Sequence, residues 1–395
     1  MSNGYYEVDG STLDCECQSG SVSETTNTAS AGADGSGNEV RIGIRFQIDI
    51  PIGAVIDSAK LYIWQDYCAA VDPGVINIAL INNDNCPAFG AGYNPYSNGL
   101  ASPTPVAWTT SCSGNDASWR ENVPDLATLV QAYVRRPGYQ PNQYMGLLFY
   151  DPSPTTGRFF KMEQWDYGSS DACAIIFIAW HHDALGQGCN YWSVAGTDDD
   201  TWNSSDDSND KTSEDGGRFG QIEDGNKSTS EEYSRVAFRW QTDTIPAGAT
   251  INNAQIVMWA DATDSTACDA QIGAMTSCNA FGAGEYAAMA SFIGAAYTWS
   301  SVTAWTVECV YATPNIATQV SNRISDGNYD PDGAGEDPWV AIAIRDDGDK
   351  NNANAHREVA FYDDTTMPEP YLVVCYAIDK TYKPNVASTG SFMMY

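Results

Sequence analysis

Basic residues are scarce in this sequence. Its 395 residues include 19 lysines and arginines against 51 aspartates and glutamates, which gives a formal net charge of −32. A surface of this sign repels phosphate, so we expect no binding to nucleic acid or to anionic membranes. Long apolar runs are also missing, since no stretch approaches the roughly 18 residues of a transmembrane helix. The sequence therefore predicts no nucleic-acid partner and no membrane span.

Residues that commonly carry catalysis are few. The chain has three histidines, His181, His182 and His356, and it contains neither a G-x-S-x-G nucleophile elbow nor a Walker loop. Carboxylates are so numerous that no acidic pair stands out as an acid and base flanking a cleft. This pattern indicates a protein that is not an enzyme.

A secretory signal is missing from the printed sequence. Residues 1–6 have neither its basic segment nor its apolar segment. We expect either that a signal was removed or that the protein leaves its cell without one, as virion proteins do at lysis. Eleven cysteines without any C-x-x-C pair favour disulfides over zinc. Together these features predict a virion or extracellular location.

One segment of the sequence occurs twice. Residues 45–61 (RFQIDIPIGAVIDSAKL) return in varied form at 239–256 (RWQTDTIPAGATINNAQI), and CPAFGAG at 86–92 returns as CNAFGAG at 278–284. Repeats in a fixed order indicate a duplicated domain. The predicted organisation is a first domain over 1–182, a second domain over 183–378 and a C-terminal tail over 379–395.

Most of the chain has the pattern of β-strands. Apolar residues alternate over 40–48, which predicts a half-buried strand. Each half also contains one short helical pattern, the first after Pro124 and the second around Val320. We predict an all-β fold of two tandem, duplicated, jelly-roll-like β-sandwich domains, each with one short helix. The polar stretches 19–38 and 198–232 are interpreted as long loops or edge arms.

An acidic stretch at 326–337 (DGNYDPDGAGED) suggests a cation site. Oxygen-bearing side chains stand at alternate positions before a glycine, at Asp326, Asn328, Asp330 and Asp332. Oxygen ligands on a tight turn suit calcium, although the register of an EF-hand is incomplete. The alternative is an acidic turn, because the first half has RPGYQP at 136–141 in the same place. Calcium is the one cofactor that the sequence suggests.

Cysteines recur at matching places in the two halves. Cys68 and Cys86 correspond to Cys268 and Cys278, and each pair would staple the same long loop if it were oxidised. Spacing leaves the pairing open, and the odd total leaves at least one cysteine for another role. Several have no counterpart in the other half: Cys15, Cys17, Cys173, Cys189 and Cys375.

Two further features concern glycans. Asn203 and Asn226 begin N-x-S sequons and are candidate glycosylation sites. Aromatic residues in predicted loops would stack on surface glycans if exposed, or would instead pack on the sandwich or line a subunit interface: Tyr93, Tyr96, Trp192 and Trp202.

The duplicated segment resembles a known kind of domain. The pattern R-F-x-x-x-I-P-x-G-A-x-I-x-x-A-x-L at 45–61, with its variant at 239–256, is similar to DNRLRE-type β-sandwich domains. Those domains resemble carbohydrate-binding modules of extracellular proteins and domains of phage virion proteins. The resemblance covers both halves and implies a β-sandwich, but it transfers no catalytic or binding residue.

The leading interpretation is a non-enzymatic structural protein on the exterior of a particle or filament, namely a phage virion component such as a capsid decoration or fibre protein. The tail ends in Phe392, Met393, Met394 and Tyr395. It is either a docking strand for a neighbouring subunit or a disordered end. We expect partners among other virion or filament subunits, with self-association. The alternatives are a secreted carbohydrate-binding protein and an extracellular filament or surface-layer subunit.

Overall fold

A computed structural model of the chain describes most of its residues. The described ranges are 4–8, 10–68, 74–97, 104–110, 118–120, 123–164, 174–204, 216–223, 231–246, 248–281, 289, 291–331, 338–346 and 355–378.

The described residues form strands for the most part. The first half contains β1 (Tyr5–Glu7), β2 (Asp14–Gln18), β3 (Ser21–Ser23), β4 (Thr28–Ala33), β5 (Glu39–Ile48), β6 (Val55–Cys68), β7 (Val75–Leu80), β8 (Val106–Thr109), β9 (Ser118–Arg120), β10 (Gln143–Tyr150), β11 (Phe159–Glu163) and β12 (Ile175–His182). The second half contains β13 (Gln187–Ser193), β14 (Asp200–Ser204), β15 (Gly216–Glu223), β16 (Glu231–Gln241), β17 (Thr250–Trp259), β18 (Cys268–Ala274), β19 (Tyr297–Val302), β20 (Val310–Ala312), β21 (Trp339–Asp346), β22 (His356–Ala360) and β23 (Tyr371–Ala377).

The first helix, α1, spans Ala127–Val134. Its N-terminus is fixed by Asp125, whose Oδ1 accepts hydrogen bonds from the backbone N–H of Ala59 at 2.9 Å and of Ala127 at 2.8 Å. The buried face of α1 carries Leu129, Val130, Tyr133 and Val134. The predicted helix after Pro124 is therefore confirmed, with its apolar side on the core.

The second helix, α2, spans Ala317–Ile324 and is held in the same manner. Asn315 Oδ1 accepts hydrogen bonds from the N–H of Ala254 at 3.0 Å and of Ala317 at 2.9 Å. The amide oxygen of Asn315 replaces the carboxylate oxygen of Asp125, because each accepts hydrogen bonds from two neighbouring backbone N–H groups.

Two antiparallel sheets build the fold, and the predicted all-β sandwich is confirmed. The larger sheet follows the order β20-β17-β23-β13-β12-β6-β11-β4-β5-β10-β7-β8, and the smaller one the order β19-β18-β21-β16-β15-β22. Apolar side chains from β5, β6, β10 and β12 meet in one buried cluster, so the large sheet encloses the first core. The second core lies between β17 and β23 of the large sheet and β16, β18 and β21 of the small one. Because the two halves share one sheet, the bounds 1–182 and 183–378 stay predictions.

The polar stretches near the start of each half contain strands as well as loops. Strands β4 and β15 lie inside 19–38 and 198–232, so the loop interpretation of these stretches is wrong in part. Glycines in both strands explain why no alternation of apolar residues marked them in the sequence. Gly32 (φ 142°) and Gly220 (φ 113°) lie so close to the neighbouring strand that a Cβ would fall 2.3 Å from the carbonyl of Arg158 and 2.5 Å from that of Ala355.

Candidate functional site: the junction between the two halves

The two halves are joined by a hairpin. The turn between β12 and β13 closes when His182 O accepts the N–H groups of Leu185 at 3.0 Å and Gly186 at 2.9 Å. Strand β13 then pairs with β12 on one side and with β23 on the other. Backbone hydrogen bonds therefore run without a break from the first half into the second.

A disulfide lies within this shared sheet. Cys189 of β13 and Cys375 of β23 face each other in register and are bonded across 186 residues of sequence. Both are buried, and the N-terminal segment packs over them, because a Cβ on Gly4 would lie 2.8 Å from Cys189 Sγ. The bridge thus ties the first strand of the second half to its last strand.

Aromatic rings from both halves pack together in a buried cluster that is separate from the two cores. This junction cluster includes Tyr62, Trp119 and Phe177 of the first half and Trp259 and Tyr371 of the second. Ring centroids are 4.7 Å apart for Phe177 and Tyr371, and 5.7 Å apart for Tyr62 and Trp259. Each such pair contributes about 0.5–1.5 kcal/mol beyond the area it buries.

Polar contacts cross the junction as well. Lys60 Nζ donates a hydrogen bond to Tyr371 Oη at 2.7 Å, and Tyr371 Oη in turn donates to Glu369 Oε1 at 2.8 Å. The indole N–H of Trp119 donates to the backbone carbonyl of Glu308 at 3.1 Å. Lys60 and Trp119 of the first half therefore find hydrogen-bond acceptors in the second half.

A buried carboxyl group lies beside these contacts. Glu163, at the end of β11, is 5% exposed. Burial raises its pKa to about 8, and the charges of Asp66 and of Glu308 in the other half act in the same direction. Glu163 is thus mainly protonated at neutral pH, which keeps one negative charge out of the junction.

Asp200 is a second carboxyl group of this kind, in the second half. It is fully buried at the start of β14 and accepts the backbone N–H of Tyr362 at 2.6 Å. Burial raises its pKa to about 8, helped by the neighbouring charges of Asp363 and Asp199. Both groups are structural carboxyls inside the sheets rather than members of an open cleft.

A cavity of about 370 Å³ opens where the halves meet, next to the disulfide. The first half contributes Asp49, Asn142 and Trp180 to its lining, and the second half contributes Gln187, Asn252 and Tyr376. Sequence reasoning missed this site, because its walls come from strands distant in the chain.

Two arginines repeat one contact in the two halves. Arg45 Nη1 donates to the carbonyl of Cys86 at 3.0 Å, and its guanidinium lies 4.1 Å from the ring centroid of Tyr144. Arg239 Nη1 donates to the carbonyl of Cys278 at 3.1 Å and lies 4.1 Å from the Trp339 ring. Each arginine anchors the start of a C-x-A-F-G loop. The duplication stays a prediction.

The suggested calcium ligands are only partly within the described residues, since Asp332 lies outside them. Asp326 Oδ2 lies 3.3 Å from Nη1 of the buried Arg323, and Asn328 Nδ2 donates to the same oxygen at 3.4 Å. Asp330 is exposed. In the described part of the chain, no group of three or more His, Cys, Asp or Glu side chains is arranged to hold a metal. Calcium at 326–332 stays a prediction.

The predicted cysteine staples differ from the structure. Cys86, Cys268 and Cys278 are buried thiols. Cys268 packs in the second core, whereas Cys278 packs in a separate cluster with Met275 and Phe281, so the predicted Cys268–Cys278 bond is wrong. Cys86 is likewise not bonded to Cys68, whose side chain lies outside the described residues. The pair that is bonded in the described part of the chain, Cys189 and Cys375, has no counterpart in the first half.

The remaining sequence candidates fall largely outside the described residues. Asn226 and the tail residues Phe392, Met393, Met394 and Tyr395 are not described, and Asn203 is described only as a backbone position of β14, opposite Arg235. Both sequons and the docking tail therefore stay predictions.

The aromatic residues that were candidates for a glycan platform pack on the fold. Trp192 and Trp202 are partly buried against the second core. Tyr96 lies under the guanidinium of Arg41 at 4.2 Å, and Tyr93 stacks on Phe89. Packing onto the sandwich, the alternative interpretation, describes these rings better than an open platform.

Comparisons with known proteins give little further information. No family model and no curated protein matches the chain. Solved structures with some likeness include "Structure of allantoicase" (8% identity, 86% of this chain and 78% of that chain, TM-score 0.18). Another is "Structure of infectious bursal disease virus Gt strain" (9% identity, 95% and 75%, TM-score 0.17). Likenesses this weak carry no argument about function. Neither helix in the described ranges has the length and apolar character to span a membrane.

Proposed function

We propose that this protein is a non-enzymatic structural component on the exterior of a particle or filament, namely a phage virion component such as a capsid decoration or fibre protein. The observation that carries the proposal is the junction, where a shared sheet, the junction cluster and the Cys189–Cys375 disulfide unite the two halves. Domains joined by small polar interfaces move against each other, whereas this interface is aromatic and buried. A rigid protein made of two firmly joined halves suits a load-carrying or spacing role.

Charge and redox chemistry support an exterior location. The net charge of −32 keeps a protein soluble at high local concentration and away from phosphate. Disulfides persist in oxidising surroundings such as virion surfaces and extracellular space. The negative charge and the disulfide are also expected of an extracellular filament or surface-layer subunit. We propose that role as the alternative to a virion component.

Two exposed apolar side chains at the hairpin between the halves support contact with other subunits. Ile52 is 55% exposed and Leu185 is 50% exposed, and His182 connects them, because its Nε2 lies 3.0 Å from the carbonyl of Ile52 and its carbonyl accepts the N–H of Leu185. The N–H of Ile378, the last described residue, donates to the carbonyl of Gly186 in the same turn. The last described residue before the predicted docking tail therefore lies at this hairpin turn.

Sedimentation of the full chain and of a variant that ends at residue 378 tests the proposal. We expect the full chain to self-associate, or to bind purified particles from its source, and the shortened chain to remain monomeric with an unchanged circular dichroism spectrum. A full chain that stays monomeric and leaves the particles unbound would contradict the proposal. Assembly that persists in the shortened chain would instead refute the docking role of 379–395.

A further inference from the structure

An ion pair joins two neighbouring strands of the first half. Lys161 Nζ of β11 lies 3.3 Å from Asp66 Oδ2 of β6, and both side chains are half-buried. The register between these strands shifts here, because Lys161 faces Tyr67 whereas Met162 faces Gln65. Asp66 is thus the extra residue of a β-bulge, a feature that re-aims a side chain. The bulge brings the Asp66 carboxyl group to the Lys161 amine.

A buried carboxyl group, that of Glu163, lies beside this pair. Phe160 and Met162 pack in the first core, so Lys161 and Glu163, which alternate with them, lie on the opposite face of β11. Glu163 Oε2 is buried and has no hydrogen-bond partner among the described residues. Burial raises the pKa of Glu163, and the charges of Asp66 and Lys161 act on it as well, so the three groups lie near one another.

An amine, a carboxyl group and a proton carrier are what the formation of an amide requires. The ion pair becomes reactive when a proton moves from Lys161 Nζ to Asp66 Oδ2, because this leaves a neutral amine beside a neutral carboxyl group. Groups held together in a favourable geometry react as if at an effective concentration of roughly 10⁵–10⁸ M. A nearby carboxyl group that is protonated at neutral pH, such as Glu163, both donates and accepts protons in such a step.

We propose that Lys161 and Asp66 form an intramolecular amide bond, with Glu163 as the proton carrier. The lone pair of Nζ attacks Asp66 Cγ, and the N–C bond forms. Nζ gives one proton to Glu163, which gives its own proton to the departing hydroxyl group. The Cγ–O bond then breaks and one water leaves, so Glu163 ends as it began and the reaction needs no oxidant. The reaction occurs once in each chain, ties β6 to β11, and does not depend on assembly of the protein.

The corresponding strands of the second half lack the reactive groups. Val359 of β22 forms a bridge with Ala260, in the place of Met162 in the first half. The residues on either side of Val359 are Glu358 and Ala360. An acidic residue therefore stands where the first half has its lysine, and an alanine stands where it has its buried glutamate. We expect the bond in the first half alone.

Mass spectrometry of the reduced and denatured full chain tests the proposal, because the bond removes one water and resists both treatments. We expect the parent to be lighter than its sequence by one water, and its digest to contain residues 66 and 161 in one cross-linked pair of peptides. K161R keeps the charge and D66A removes the carboxyl group, so both variants should have their full sequence mass. K60R is the matched control, since Lys60 is the other lysine in the described part of the chain, and it should still lose the water.

The variant E163Q tests the proton carrier. Refolded E163Q should form the bond more slowly than the parent, by roughly a hundredfold or more, and an equal rate would overturn the role of Glu163. Stability comparisons of glutamate with glutamine at residue 163 use the K161R background, in which no bond forms. The amide proposal is overturned if the parent keeps its full mass after prolonged incubation at neutral pH, or if folded K161R loses the water as well. Lys161 and Asp66 would then form an ordinary ion pair.

Discussion

Lys60 and Tyr371 meet across the junction although 311 residues of sequence separate them, with Lys60 Nζ 2.7 Å from Tyr371 Oη. The ammonium group also lies 4.6 Å from the ring centroid of Tyr62 and 5.3 Å from that of Tyr371. A cation between two tyrosine rings gains from both π faces when it is shielded from water. This contact joins the polar and the aromatic parts of the junction.

Replacing Tyr371 with phenylalanine should destabilise the protein. The change keeps the ring in the junction cluster but removes the hydroxyl group that accepts from Lys60 and also hydrogen-bonds with Tyr62. We expect the free energy of unfolding to fall by about 1–3 kcal/mol in urea titrations. Tyr362→Phe is the control, since Tyr362 is 43% exposed, and it should change stability by less than about 0.5 kcal/mol. Equal stabilities of the two variants would show that the hydroxyl contact contributes nothing.

Loss of the disulfide should weaken the whole protein. The Cys189–Cys375 bond closes a loop across 186 residues of sequence, and removal of such a bridge typically costs about 2–5 kcal/mol. The variant C189S/C375S should therefore melt at a lower temperature than the parent, measured by calorimetry. Reductant should lower the melting temperature of the parent but leave that of the variant unchanged. A further decrease in the variant would mean that another disulfide supports the fold.

Stability should fall as the pH rises into the alkaline range. The pKa of Glu163 is about 8 in the fold against an ordinary value of 4.5, so the folded state binds the proton more tightly than the unfolded state does. Its contribution to stability is complete below about pH 4.5 and is lost as the pH rises through about 8. Asp200, with a pKa of about 8, acts in the same direction.

The variant E163Q isolates this effect, because glutamine stays neutral. We expect E163Q to be more stable than the parent at pH 9 and to show a flatter dependence of melting temperature on pH between 5 and 9. Glu7→Gln, a change at an exposed position, serves as the control and should follow the parent curve. Parallel curves for E163Q and the parent would contradict the assigned pKa shift.

The two repeated arginines should respond alike to substitution. Lysine keeps the charge but loses the planar fork that reaches the loop carbonyls and stacks on Tyr144 or Trp339. We expect R45K and R239K each to lower the free energy of unfolding by about 1–3 kcal/mol, whereas R135K, at an exposed position, should have little effect. A large loss in one half alone would show that the two contacts are not equivalent.

Local patterns predicted the strands and helices well, and physical reasons explain where they did not. Alternating Ile42, Ile44 and Phe46 identify β5, because a period of two buries one face of a strand. The strand β15 was missed, because Gly216, Gly217 and Gly220 replace the apolar residues that would mark it. Close approach of neighbouring atoms requires glycine at these positions.

The junction was beyond prediction from one sequence. Its pairs, such as Cys189 with Cys375 and Tyr62 with Tyr371, lie far apart in the chain, and only the assembled sheet brings them together. One signal did exist. Cys189 and Cys375 are the two cysteines of the second half that have no partner position in the first half.

Negative-stain microscopy of particles or filaments from the native source, labelled with an antibody against this chain, tests the structural role most directly. We predict regularly spaced label on the outer surface of a virion or along a filament, with a two-lobed density for each copy. Soluble, monomeric protein with no label on any assembly would contradict the proposed role.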